Sequence, residues 1–215
     1  MLITALIGQK GGTGKTTTSL GLAVAAARAG QAAAIIDLDP QANAANWKDR
    51  REAPNPAVVS AQVSRLRQTL KTAREHGAEF VVIDTPGKSD SAAVEAARSA
   101  DLVLIPARPQ IFDLETLPAM RDLLRVAGTA PAYLVLNGLH PQARKQADEA
   151  KAMIRDSCGL PVCPVHLCQR ASYAEAPMNG LAPQELDPDG KAAAELEQLY
   201  RFVLQQLTGT TAQHE

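Results

Sequence analysis

The sequence predicts an α/β fold: one domain in which a mostly parallel, twisted sheet carries helices on both faces. Short apolar, β-branched runs alternate with longer stretches of helical period, the pattern of repeated βα units. A length of 215 residues suits one such core. Apolar residues make up 46% of the chain and aromatic ones only 3%. The interior must therefore be built from Ala, Val, Leu and Ile, which pack closely between helices and a buried sheet.

In chain order, strands are expected at Leu2–Ile7, Ala33–Leu38, Phe80–Asp84, Leu102–Pro106, Tyr133–Asn137 and Val162–His166. Each is a short apolar run between polar or glycine-containing segments. The alanine-rich stretch Thr16–Ala29 reads as a helix closed by Gly30, since a glycine just past the last turn accepts the left-handed cap. Val63, Leu66, Leu70 and Ala73 fall on one face of a second helix that stops at Gly77. Leu114–Ala127, Ala143–Ser157 and Lys191–Leu207 complete the main helices. The two prolines of Glu52–Pro56 mark a loop, and Gly209–Glu215 reads as a frayed tail after a domain of residues 1–208.

Twenty-two basic against twenty-three acidic side chains give a formal charge of −1. No protein-wide positive field exists, so nucleic acid would require a local patch. Met1–Gly8 is apolar but too short to cross a bilayer, and it runs into a glycine loop in place of a cleavage site, so a cytoplasmic location is expected. Cys158, Cys163 and Cys168 form an odd set at five-residue intervals, unlike a disulfide framework or a zinc site. They read as reduced, buried thiols.

The chemistry begins directly after the first strand, at Gly8-Gln9-Lys10-Gly11-Gly12-Thr13-Gly14-Lys15-Thr16-Thr17, followed at once by a helix. Glycines let successive backbone N–H groups curl inward and the helix N-terminus adds its dipole, which together cradle phosphates. Lys15 would neutralise the β and γ phosphates and the Thr16 hydroxyl would ligate Mg²⁺. The expected fold is thus a single-domain P-loop NTPase. Two later strands also end in carboxylates. Asp37 and Asp39 close Ile35-Ile36-Asp37-Leu38-Asp39-Pro40-Gln41, and Asp84 closes Phe80-Val81-Val82-Ile83-Asp84-Thr85-Pro86-Gly87. Side chains at C-terminal strand ends face the crevice where α/β sheets bind ligands, although Asp37 and Asp39 also fit capping of a turn. Asp84 is placed to hold Mg²⁺ through water, and Gly87 to present a backbone N–H to the γ-phosphate. Asn137, at the end of Ala132–Asn137, can donate and accept on a base edge, or serve a turn with Gly138.

One departure is informative: Gln9 stands where the general phosphate loop has glycine, and a second lysine follows at Lys10. Lys10-Gly11-Gly12-Thr13-Gly14-Lys15-Thr16 resembles the signature-lysine, deviant loop of the ParA/MinD superfamily, and the resemblance runs along nearly the whole chain through Asp37–Gln41, Asp84–Gly87 and Asn137. It implies an ATPase using ATP and Mg²⁺, with Gly11, Gly12, Thr13, Gly14, Lys15, Thr16 and Thr17 around the phosphates and Asn137 on the adenine. Asp39 would act on the attacking water, while Asp37 would support the Mg²⁺ shell with Thr16 and Asp84. Lys10 would reach phosphates held by a second chain, giving a homodimer with ATP. Leu104-Ile105-Pro106-Ala107-Arg108-Pro109 is similar to a dimer segment of small ParA proteins, with Ile111 where a further proline often stands. Leu167-Cys168-Gln169-Arg170 through Glu175-Ala176-Pro177 resembles a segment whose arginine helps bind DNA without regard to sequence. Arg170 is the DNA-binding candidate, with Arg144, Lys145, Lys151, Arg155, Lys191 and Arg201 as neighbours or as plain solvated charges.

The branch within the superfamily stays open. The helix bearing Leu196, Leu199, Tyr200, Val203 and Leu207 has only Arg201 as nearby basic residue, against a membrane-binding face of MinD type. The cysteines lie late in the chain, away from an iron–sulfur position, and only Tyr200 stands where a kinase relative would carry a tyrosine cluster. With no helix-turn-helix segment ahead of Leu2, the resemblance is to a short ParA, nucleoid-associated and stimulated by a ParB-like partner. The cargo would be plasmid or chromosome DNA, or alternatively a protein body such as a chemoreceptor cluster or microcompartment.

Overall fold

A computed structural model describes residues 1–110, 113, 115–128, 130–142 and 144–209, without the side chains of 144–146 and 156–158. Seven strands form a single sheet, β1 (Leu2–Leu6), β2 (Ala33–Asp37), β3 (Ala57–Ser60), β4 (Phe80–Asp84), β5 (Leu102–Ala107), β6 (Ala132–Leu139) and β7 (Leu167–Cys168). Their order is β3-β2-β4-β1-β5-β6-β7, and every pairing is parallel. Residues of β2, β4 and β5 are buried throughout, as a sheet covered on both faces requires.

One face carries α1 (Lys15–Arg28), α2 (Asn43–Lys48), α7 (Ser172–Glu175), α8 (Pro183–Leu186) and α9 (Lys191–Thr208). There Leu22, Trp47, Leu196 and Leu199 meet Leu6, Ile35, Val82 and Leu104. The other face carries α3 (Leu66–Glu75), α4 (Asp90–Ser99), α5 (Leu117–Ala127) and α6 (Arg144–Cys158). There Leu66, Ala96, Met120 and Ile154 cover Ile3, Ile36, Val81 and Ile105. Adjacent residues of a strand thus feed opposite layers.

Several expected boundaries shift. The edge strand expected at Val162–His166 is instead a single bridge of Val162 to Leu134, followed by β7 at Leu167–Cys168. Pro164 lies between them and has no N–H to give a ladder. The short edge strand β3 and helices α2, α4, α7 and α8 had no counterpart in the sequence reading. Helix α4 did leave a signal, because Ser89 accepts from Ala92 N at 3.3 Å as its cap and Ala93, Ala96 and Ala97 share its buried face. The expected helix start at Leu114 and the departure at Ile111 lie outside the described residues, as do Ala143 and the tail beyond Gly209.

Helix α1 lies against α9 through a glycine. A Cβ on Gly21 would stand 2.5 and 2.8 Å from the two Cδ atoms of Leu196. Gly21→Ala is therefore expected to lower unfolding free energy by about 1–3 kcal/mol through overpacking. Urea titration would check this, and Leu196→Ala should cost less in the Gly21→Ala background than in the parent, because the two side chains compete for one space.

Candidate functional site

Register brings the acidic strand ends together. Leu6 of β1 pairs with Asp84 of β4, and Asp84 pairs with Asp37 of β2. Three neighbouring strands therefore end in one row, and their loops open into a cleft of about 670 Å³. It is lined by Gly11, Gly12, Gly14, Lys15, Thr16 and Thr17 on one side and by Asp39, Thr85 and Gly87 on the other. Thr13 is buried beneath that lining.

The loop from Gly8 to Gly14 turns through left-handed conformations at Gly12 (φ 74°) and Gly14 (φ 93°), which a side-chain-bearing residue adopts only at a cost of about 1–2 kcal/mol. Gly14 O then accepts the first α1 bond from Thr18 N at 2.9 Å. Lys15 Nζ reaches back to Lys10 O at 2.9 Å. Burial lowers the Lys15 pKa, and Asp84 and then Asp39 oppose that shift by their charge. Gly87 supports the loop from behind, since a Cβ there would stand 2.8 Å from Gly11 N and 2.9 Å from Lys10 O. Only a glycine allows that approach.

Asp84 is fully buried, and burial pushes its pKa up to about 7. Thr16 and Ser19 oppose that shift by hydrogen bonding, Ser19 Oγ donating to Oδ1 at 3.1 Å. Oδ2 is buried without a hydrogen-bond partner among the described residues. A carboxylate oxygen in that condition, beside the Thr16 hydroxyl, fits a bound divalent cation. Asp37 is differently engaged. Its Oδ1 accepts Asp39 N at 3.0 Å, and its Oδ2 accepts Ala44 N at 3.0 Å and Ala45 N at 3.3 Å. Burial raises its pKa and these N–H bonds oppose the rise. Asp37 thereby fixes the loop that carries Asp39 and ties it to the start of α2.

Asp39 lies half-buried at the cleft wall, its Oδ1 accepting Gln41 N at 2.9 Å. Ala42, the one described non-glycine residue with positive φ (52°), closes the same loop. Asn137 donates Nδ2 to Thr13 O at 2.7 Å and accepts Gly138 N at 2.8 Å. Its amide thus braces the phosphate loop, and one N–H and one lone pair remain for a base edge. Lys10 projects away from Lys15, with Nζ 3.7 Å from Asp113 Oδ1.

The profile of the CobQ/CobB/MinD/ParA nucleotide-binding domain matches residues 4–184. The chain belongs to this ParA/MinD family. A "Maintenance of carboxysome distribution protein A" from Gloeobacter kilaueensis is 32% identical over 95% of this chain and 93% of its own. A "Chromosome partitioning protein ParA" from Caulobacter vibrioides is 27% identical over 83% of this chain and 84% of its own. Among solved structures, the septum site-determining protein MinD of Pyrococcus horikoshii, complexed with Mg-ADP, superposes with a TM-score of 0.78 at 18% identity, covering 99% of both chains. The last likeness carries the fold, a P-loop NTPase sheet with helices on both sides.

In the distal half of this ParA/MinD-family chain the DNA-binding candidate is already engaged. Arg170 is partly buried, its side chain 20% exposed, and Nε and Nη2 donate to Glu195 Oε1 at 3.1 and 2.6 Å. Glu195 Oε2 also accepts Cys168 N at 3.0 Å. The strand β7 ends above α9, and the carboxylate facing it captures the guanidinium. Lys191 and Arg201 are exposed, as is Arg155, whereas Lys151 is half-buried. The side chains of Arg144, Lys145 and Cys158 lie outside the described residues, and Cys163 and Cys168 are free, buried thiols. Sequence reading missed Ser19, one helical turn beyond Thr16 on the face toward Asp84, a spacing that could have revealed it. It also missed Glu195, whose partners Cys168 and Arg170 lie far away in sequence, and Asp113, which pairs with Arg108 five positions before it and with the distant Lys10.

Proposed function

We propose that the chain is a Mg²⁺-dependent ATPase that dimerises around ATP and uses the cycle to position a cargo along DNA. ATP hydrolysis and the use of ATP with Mg²⁺ are properties of the family to which it belongs. The observation that carries the reading is the cleft lined by Lys15, Thr16 and Asp39, with Asp84 buried beside Thr16 and Lys15, while the Lys10 ammonium faces Asp113. Lys15 neutralises β and γ phosphates, and Gly11 to Thr17 supply the cradle. Thr16 and Asp84 hold Mg²⁺, whose charge offsets that of the phosphates, with Asp37 fixing the neighbouring loop. Asp39 positions and accepts a proton from the attacking water. Asn137 reads the adenine edge, and Lys10 reaches the phosphates of the second chain.

Two cargoes fit the cycle. One is plasmid or chromosome DNA, handled through a ParB-like partner that stimulates hydrolysis. The other is a protein body, favoured by the higher identity and nearly complete coverage of the carboxysome-distribution relative. Both use non-specific nucleoid DNA as the track. Arg170 enters DNA binding by holding the segment 170–177 through Glu195, while Lys191, Arg201 and Arg155 supply exposed charge for phosphates. Among the described residues no helix is long and apolar enough to cross a membrane.

ATP-trapped protein should bind two duplexes of unrelated sequence about equally, and ADP-bound protein should bind weakly. Affinity should fall with salt at a slope of about −0.9 per phosphate neutralised. A strong preference for one sequence, or equal binding in ATP and ADP, would contradict the nucleoid track. Lys15→Ala is expected to weaken ATP binding about 30- to 100-fold, the loss of a charge-assisted contact to phosphate. Unchanged affinity by calorimetry would remove the phosphate-loop assignment.

A further inference from the structure

Helix α1 turns two hydroxyls toward the carboxylate that ends β4. Thr16 and Ser19 stand three positions apart, hence on one face of the helix, and both hydrogen-bond Asp84. Their surroundings differ. Thr16 lines the cleft, whereas Ser19 is fully buried and does not line it. An effect of Ser19 on anything bound in the cleft therefore passes through the carboxylate that it touches.

Register sets Asp84 beside Asp37, and the two side chains offer four oxygens. Both oxygens of Asp37 accept backbone N–H groups. Asp84 Oδ1 accepts Ser19 Oγ at 3.1 Å, while Oδ2 is buried with no hydrogen-bond partner among the described residues. The outer torsion of an aspartate is broad, so the backbone of β4 does not by itself fix where each oxygen points. A donor held on one oxygen does, and it thereby sets the direction of the other.

We infer that Ser19 is a positioning residue for Mg²⁺. Its hydroxyl pins Asp84 Oδ1 and so keeps Oδ2 available to the cation or to a water on it. This rests on the reading that Asp84 and Thr16 hold Mg²⁺. Loss of such an outer partner typically weakens metal binding about 10- to 100-fold. Ser19 is one of two hydroxyls on Asp84, which places Ser19→Ala at the lower end, about tenfold. Alanine favours a helix more than serine does, so α1 is retained. Ser19→Cys keeps a similar size with a weaker donor, and its effect should fall between parent and alanine.

The test uses the full chain with ADP and Mg²⁺ as probes. Calorimetry gives the ADP affinity in EDTA, and titration of Mg²⁺ into the ADP complex gives the half-saturating metal concentration. Ser19→Ala should raise that concentration about tenfold and leave the ADP affinity in EDTA at the parental value. Asp84→Asn should raise it at least as far, and Ser19→Ala added to Asp84→Asn should raise it little more, because both act through one carboxylate. A merely structural hydroxyl would lower stability in urea and leave Mg²⁺ binding parental, which overturns the proposal. Equal loss of ADP affinity with and without metal overturns it too, since Ser19 would then support the phosphate loop. Parental Mg²⁺ binding in Asp84→Asn removes the metal assignment itself and the role of Ser19 with it. Parental binding in Ser19→Ala beside a loss in Asp84→Asn removes the role of Ser19 alone.

Discussion

Asp39→Ala protein is expected to bind ATP and Mg²⁺ with affinity close to the parent, to hydrolyse at least a hundredfold more slowly, and to remain dimeric. The carboxylate lies half-buried at the wall of the cleft, on a loop whose backbone is held by Asp37. Lys15 and the phosphate-loop N–H groups, not Asp39, are placed to meet the phosphates, so its removal leaves binding intact. What is lost is orientation of water and acceptance of its proton, which contribute typically 10²- to 10⁴-fold to a hydrolysis rate. Single-turnover hydrolysis beside light scattering in ATP would check both halves. A variant that hydrolyses at the parental rate, or stays monomeric, would reassign the residue. The removed acceptor for Gln41 N is exposed, so water replaces it and folding is little affected.

Asp84→Asn is expected to stabilise the nucleotide- and metal-free protein at pH 8 while abolishing Mg²⁺-dependent hydrolysis. In the folded chain burial holds this carboxyl near 7, against an ordinary value of 3.8. Between those values the folded protein keeps a proton that the unfolded chain has lost. Its contribution to stability is complete below about pH 4, falls as pH rises toward 7, and is lost above. A shift of that size corresponds to roughly 4 kcal/mol. Asparagine has the same shape and no charge, so the stability difference between variant and parent should grow from pH 4 to pH 7 and then level off. Urea unfolding across pH 4–8 reads this directly. A variant less stable than the parent at pH 8 would show that Ser19, Thr16 and Lys15 already compensate the buried charge. The expected stability gain and loss of activity have one cause: the charge that burial disfavours in the metal-free protein is the one proposed to hold the cation.

Much of this was legible in residue order alone. The glycine loop between a strand and an alanine-rich helix names its own chemistry, because phosphate binding uses backbone N–H groups whose geometry follows from local glycine spacing. The central strands could be read because each is buried on both faces and appears as an unbroken apolar run. Edge elements were less legible: β3 is short and buried only at Val58, and β7 is displaced by Pro164, so neither has the full apolar pattern.

The amino-acid sequence by itself determined the phosphate loop, the central strands and the acidic residues that end two of them. Only the tertiary structure decided what those acids do. Asp37 and Asp84 are 47 positions apart, and strand register alone sets them side by side, one with three N–H donors and the other with an oxygen left bare. Arg170 read as a surface charge until α9 placed Glu195 opposite it, and Lys10 read as a lone signature until β5 delivered Arg108 and the following turn delivered Asp113. Local pattern specifies groups whose partners are near in sequence. The state of a charged side chain depends on burial and on the nearest opposite charge, and both are set by segments packed from elsewhere in the chain.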